Sequence, residues 1–347
     1  MLVFQLKNQF FNCFFQPFTS RLEPLGPNMA DLFDIPSCDK CRNPAIHHQV
    51  YSGRMMCGAH LAESVRKKVS KALREQLVLR KGENTTILVA ISGGKDSAVL
   101  LERIHENLGK RRDVTIIGGC VDEGIEGYRP PSLECARELC ESLGVQFETV
   151  SYPDLGFKEM DEVVEKIIET GDKKAPCSYC GVFRRQGINH LAARVGADVI
   201  ALGHNLDDMA QTIMMNMQNG DLERTLRLAP HTNTPLEGMA PRIVPLRWVP
   251  EQEIHLYALH KGLPIHHEEC PHGEGALRFR HRETIAMMEA DVPGTRHGLL
   301  RMADDVKRLQ QMAGSSLNSI KPINCPQCGQ MCSGSVCKAC EMKERMM

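Results

Sequence analysis

The stretch that decides the fold is ILVAISGGKDSAVLL, Ile87 to Leu101. A β-like apolar run, Ile87 to Ile91, stops at Ser92-Gly93-Gly94, and an apolar-periodic helix pattern begins at Ala98. Glycines between a strand and a helix let the backbone approach a ligand closely, and helix N-termini attract anions. The phosphate loop GxxxxGK[ST] is longer and places Ser/Thr directly after its lysine, so this turn differs from it, and it is not GxGxxG. Backbone N–H groups and hydroxyls from Ser92 to Ser97 can ring a tetrahedral anion while Lys95 supplies a compact charge. Asp96 would hold magnesium or orient the loop.

Outward from this turn the chain alternates. Strand-like runs at Ile87–Ile91, Val114–Val121, Val145–Tyr152 and Asp198–Leu202 are separated by helical patterns at Ser97–Leu108, Ser132–Leu143, Glu159–Glu169, Val182–Val195 and Leu206–Met217. That spacing predicts βαβ units and a doubly wound parallel α/β sheet whose strand C-termini share one ligand-binding edge. Two more strand ends offer polar groups there. Asp122 in VDEG could meet a ribose or a metal, and GHNLDD brings Gly203 for close approach and Asp207 or Asp208 for magnesium. Carboxylates that open a helix are also favourable electrostatics in their own right. A charged helix is expected over 61–83, Pro/His-rich connections over 229–250, and short helical pieces to about 312 before a linker at Gly314.

The 347 residues carry a net charge of −1, which neither favours nor excludes nucleic acid, because local patches matter more than the sum. No run reaches the roughly 18 apolar residues of a membrane span. Six of the eleven phenylalanines fall between Phe4 and Phe18, in a leader (residues 1–28) expected to be disordered, with Met29 as the working start. A stretch with seven Lys/Arg against one Glu (66–81), with Lys110–Arg112 and Arg278, Arg280 and Arg282, would suit RNA phosphates. Each such patch is equally readable as a solvated face.

The chain has fifteen cysteines, most of them in clusters or pairs, a spacing that reads as metal ligands more readily than as disulfides. Cys38-x-x-Cys41 with Cys57-x-x-His60, and Cys325-x-x-Cys328 with Cys337-x-x-Cys340, are two closed tetrahedral sets suited to structural zinc (Zn2+), Cys332 being a spare. Cys177-x-x-Cys180 is different. Alone it could be redox-active, metal-binding or accidental.

SGGKDS after a buried strand resembles the PP-loop ATP pyrophosphatases. Cys177, Cys180 and Cys270 resemble the three cluster cysteines of the two-thiouridine synthases. With both terminal sets, residues 30 to 342 resemble the cytoplasmic tRNA 2-thiolation protein 1 family (ATP-binding domain 3). The resemblance implies a transferase with an adenine nucleotide alpha hydrolase-like domain that cleaves ATP between its α and β phosphates. ATP and Mg2+ would be held by Ala90, Ile91, Ser92, Gly93, Gly94, Lys95, Asp96, Ser97, Asp122, Arg184, Gly203 and Asp207. Lys95, Asp96, Cys177, Cys180 and Cys270 would be the reacting set, on an iron–sulfur (4Fe-4S) cluster or, as the competing route, through a persulfide. It also implies cytoplasmic 2-thiolation of wobble uridine 34 in tRNAs for Lys, Glu and Gln, a second thiolation subunit, and a ubiquitin-related modifier thiocarboxylate as sulfur donor. The expected organisation is an N-terminal zinc module (30–65), a PP-loop domain (66–230), a helical extension (231–313) and a C-terminal zinc ribbon (320–342). Two rivals are 2-thiolation of cytidine 32 and a non-catalytic tRNA-binding scaffold. Tyr179 is the one candidate for a base-stacking platform.

Overall fold

The computed structural model describes residues 35–231, 239–273, 277–313, 323–332 and 334–347. The leader, the linker opening at Gly314 and the Arg278 side chain lie outside the described residues. In chain order the elements are β1 (His47–Gln49), β2 (Arg54–Met56), α1 (Gly58–Gln76), β3 (Thr85–Ala90), α2 (Lys95–Leu108), β4 (Val114–Asp122), α3 (Arg129–Leu143), β5 (Gln146–Ser151), α4 (Met160–Thr170) and α5 (Pro176–Arg194). There follow β6 (Val199–Ala201), α6 (Leu206–Gln218), α7 (Leu222–Leu226), β7 (Arg242–Ile243), α8 (Glu251–Lys261), α9 (Leu277–Asp291), α10 (Thr295–Met312), β8 (Ile323–Asn324), β9 (Met331–Cys332) and α11 (Lys338–Met346).

Five strands form one parallel sheet in the order β5-β4-β3-β6-β7. Ile87, Leu88 and Val89 of the central strand are all fully buried, which is why that strand reads as a continuous apolar run instead of an alternation. One face is covered by α1, α2 and α8, where Val65, Val69, Leu100, Ile104 and Tyr257 pack on Ile87 and Val89. The other is covered by α5, with Phe183 and Leu191 against Leu88 and Ile117, and it also receives the C-terminal module through Cys325, Cys340, Met342 and Met346. The strand order changes direction beside β3, so the β3–α2 turn opens at the sheet's switch point.

Three readings from the sequence change here. The helix expected from Val182 starts at Pro176, because proline at the first helical position is pre-set for the turn, so Cys177 and Cys180 are helical. The connection over 229–250 contributes a short fifth strand, β7, beside β6. The pieces toward residue 312 are substantial helices of 11, 15 and 18 residues.

Candidate functional site

At the end of β3 the turn is closed by its own hydroxyls. The Ser92 N–H donates to Ser97 Oγ (3.1 Å), and Ser97 Oγ donates to the Gly94 carbonyl (2.9 Å). Gly93 has φ +84°, and a Cβ there would lie 1.9 Å from the Ser132 carbonyl oxygen in α3, so no side chain fits. Lys95 and Asp96 open α2. Lys95 Nζ donates to Asp96 Oδ2 (3.1 Å) and to Glu251 Oε1 (2.8 Å), while Asn205 Nδ2 donates to Asp96 Oδ1 (2.8 Å). Gly203 lets its strand end approach α2, since a Cβ would touch the Asp96 and Ser97 backbone at 3.4 Å.

Asn205 caps α6 with a capping box to Asp208, which aims Asp207 at α8 and α10. Asp207 Oδ2 accepts from the Glu251 N–H (2.8 Å), and its Oδ1 lies 3.1 Å from Arg296 Nε. Glu251 also meets Arg282 at 3.1 Å. Burial pushes the Asp96 and Asp207 carboxyls up, with Lys95 and Arg296 respectively opposing. Burial alone would lower Lys95, yet Asp96 and Glu251 hold it above its ordinary value. These groups line a cleft of about 600 Å³, walled on its other side by Tyr128 and by the segment His266–Glu269. The Lys95 cation is thus held between two acids at the cleft. Asn205 and Glu251 were not singled out from the sequence. The residue beside Asp122 was missed too: Glu123 is buried and lies 2.7 Å from both Arg129 and Arg184. Asp122 itself accepts from the Gly124 N–H at 3.0 Å.

The second centre lies on α5. Tyr152 donates to the Cys180 carbonyl (3.1 Å), and Arg184 Nη2 lies 3.3 Å from Cys180 Sγ. Arg184 therefore bridges Glu123 and a thiol. Cys270 sits on the segment that leaves the cleft wall. Burial raises its thiol, and the Cys180 and Cys177 charges act in the same direction. Cys177 lies 3.8 Å from the His272 carbonyl, so both segments meet at this point. Tyr179 is no stacking platform: it is fully buried, with its hydroxyl donated to Asp172, because the helical start at Pro176 turns it inward.

The two terminal sets close tightly. In the first, Cys38 and Cys57 lie 3.4 and 3.3 Å from His60 Nδ1, and Cys41 lies 3.6 Å from Cys57. In the second, Cys325–Cys340 and Cys328–Cys337 span 3.9 and 3.6 Å. Among the described residues these are the sets whose donors all fall within 4.8 Å, and Cys177, Cys180 and Cys270 are not such a set. Burial would raise the Cys38 thiol, but N–H groups of Cys57, Lys40 and Cys41 outweigh it and bring it to about 6. Cys325 is lowered to about 6 in the same way by Cys337, Cys328 and Gln327. In each set one thiol is thus shifted toward the thiolate that a cation requires.

Residues 61–286 match the model of the PP-loop domain family. The tRNA 2-thiolation protein NcsA of Haloferax volcanii is 37% identical over 320 residues, covering 88% of this chain and 98% of that protein. This chain belongs to the PP-loop tRNA 2-thiolation family. Cytoplasmic tRNA 2-thiolation protein 1 of Caenorhabditis elegans, another relative, is 32% identical over 307 residues, covering 88% of this chain and 79% of that protein. The solved structure of the U34-tRNA thiolase NcsA from Methanococcus maripaludis with its [4Fe-4S] cluster superposes with a TM-score of 0.68 at 32% identity, over 78% of this chain and 88% of that one. Family membership makes the chain a transferase that acts on tRNA and gives it a PP-loop ATP-binding domain.

Proposed function

We propose that the chain 2-thiolates wobble uridine 34 of cytoplasmic tRNAs for Lys, Glu and Gln by adenylating the C2 oxygen of the base and replacing it with sulfur. The observation that carries this reading is the loop itself: Ser92, Gly94, Lys95 and Asp96 line the cleft at the start of α2, and the Gly93 carbonyl accepts from the His266 N–H (2.9 Å) on the segment that leads to Cys270. That hydrogen bond supports placing the phosphate and sulfur chemistry along one wall.

ATP would lie in the cleft with its departing pyrophosphate on the Ser92–Ser97 turn. Lys95 would leave Glu251 for the phosphates and neutralise the charge that grows on the leaving group. Asp96 and Asp207 both line the cleft and would be the carboxylates that hold magnesium there. Asp122 at the end of β4 would meet the ribose. Arg184, held on Glu123, would sit between the nucleotide and the thiols.

Cys177, Cys180 and Cys270 are soft donors on two segments, and their failure to close around a single ion suits a larger iron–sulfur group. Bound there by three thiolates, such a cluster would supply an open coordination position for sulfur. Persulfide chemistry on the same cysteines is the second route. The terminal sets suit zinc, since bonds of about 2.3 Å give a tetrahedral edge of about 3.8 Å, which their spacings approach. A ubiquitin-related modifier thiocarboxylate as donor and a second subunit complete the reading.

The test is nucleoside analysis of position-resolved tRNA fragments after reaction with purified protein, ATP and hydrosulfide. Sulfur at uridine 34 supports the proposal. Sulfur at cytidine 32 would replace it, and ATP-independent tRNA binding with no thiolation would favour the scaffold.

A further inference from the structure

The cleft wall holds a group that the chemistry above leaves unused. His266 donates its backbone N–H to the Gly93 carbonyl, and its ring meets Tyr128 edge-on at 5.3 Å. The ring lines the cleft with Ser92, Lys95 and Asp96. Its Nε2 is buried and has no hydrogen-bond partner among the described residues, the Glu268 carboxylate standing 3.8 Å away, beyond bonding distance. A buried polar atom left without a partner costs about 1–3 kcal/mol, so packing alone is a poor reason for a histidine here.

Adenylation of a uracil C2 oxygen needs a base. As the oxygen attacks the α-phosphorus, the ring nitrogen N3 becomes far more acidic, and the neutral O-adenylated base forms only when its proton departs. Lys95 is a charged donor, and of the cleft carboxylates Asp96, Asp207 and Glu251 are held by Asn205, by the Glu251 N–H with Arg296, and by Lys95 with Arg282, while Glu268 and Glu269 are further acids on the His266 segment. Imidazole is the side chain that takes up and returns a proton near neutral pH. The groups around it are Tyr128, Glu268, Lys95, Asp96, Glu251 and Arg282.

We infer that His266 is the general base for the target uracil, an inference that rests on the adenylation reading. Nε2 takes the N3 proton as the bond from O2 to the α-phosphorus forms and the bond from that phosphorus to pyrophosphate breaks. When hydrosulfide adds at C2 and the C2–O bond breaks to release AMP, the imidazolium returns the proton to N3. Uracil, ATP and hydrosulfide give 2-thiouracil, AMP and pyrophosphate, the hydrosulfide proton ending on pyrophosphate or solvent, with no oxidant or reductant.

The experiment measures single-turnover pyrophosphate release by the full chain with ATP, tRNA and hydrosulfide across pH, for wild type, His266→Gln and His266→Gly. The glutamine variant is expected to lose about 100-fold or more in rate, to bind ATP within twofold of wild type, and to differ from wild type in the shape of its pH–rate profile. Free imidazole is expected to restore at least tenfold to the glycine variant. A glutamine variant within threefold of wild type, one that no longer binds ATP, or an absence of imidazole rescue would each overturn the assignment and leave His266 as a brace for Gly93. Wild-type protein that releases no pyrophosphate with tRNA would instead sink the adenylation reading beneath it.

Discussion

Replacing Gly93 with alanine isolates what the tight turn does. Gly93 has φ +84°, and its added Cβ would meet the Ser132 carbonyl oxygen at 1.9 Å, whereas real contacts stay near or beyond 3.0 Å. Ser132 lies in α3 and the obstructing atom is backbone, so the loop or the helix must move by about an ångström. Sites of this kind need their groups within about 0.5 Å of the working geometry. Gly196 is the matched control, with φ +63° and nothing within 4 Å of its Cβ position. Both alanines carry the left-handed backbone penalty of about 1–2 kcal/mol, a few degrees in melting temperature. Only Gly93→Ala adds the displacement. Calorimetric titration with ATP is therefore expected to show unchanged affinity for Gly196→Ala and at least tenfold weaker binding, about 1.4 kcal/mol or more, for Gly93→Ala. Equal ATP affinities in the two variants would refute the reasoning.

Other perturbations reach different parts of the molecule. Glu253 is fully buried and accepts from Gln49 (2.8 Å), Tyr51 (2.5 Å) and Lys68 (2.8 Å), tying the N-terminal hairpin to α1 and α8. Glu253→Ala leaves the Lys68 charge unpaired and is expected to cost about 3–5 kcal/mol in urea unfolding, with a smaller loss for Glu253→Gln. Burial, with Lys68 adding to it, lowers His297 from 6.5 to about 4. Between those values the unfolded chain binds a proton that the folded chain refuses, so stability falls as pH drops through that window. His297→Phe, which keeps a ring between Tyr51 and Trp248, is expected to flatten this acid limb in melting curves. Cys340 belongs both to the second metal set and to the core on α5. Cys340→Ser is expected to lower bound metal in elemental analysis and to lower the unfolding midpoint.

Local chemistry was legible and remote pairing was not. SGGKDS could be read because glycine, helix N-terminus and lysine act within six consecutive residues, and the terminal ligand pairs could be read because CxxC and CxxH spacing is itself the signal. The four main strands stood out because buried parallel strands are continuous apolar runs. Glu251 lies 156 residues from the lysine it holds, and nothing around it distinguishes it from the other acids of that region. Glu123 was overshadowed by Asp122 because only the fold tells which of two adjacent acids turns inward. The start of α5 was hidden because PCSYCG carries little apolar pattern, and Tyr179 went with it. β7 is two residues long, too short for any alternation to register.

The central claim is that the β3–α2 turn grips the pyrophosphate half of ATP while adenylate goes to the tRNA base. Its most direct measurement is the product ratio in an anaerobic reaction of the full chain with ATP, hydrosulfide and tRNA. The account expects one AMP and one pyrophosphate per 2-thiouridine formed, with all three lost in Lys95→Ala. Thiolation accompanied by ADP and phosphate, or continuing undiminished in Lys95→Ala, would contradict it.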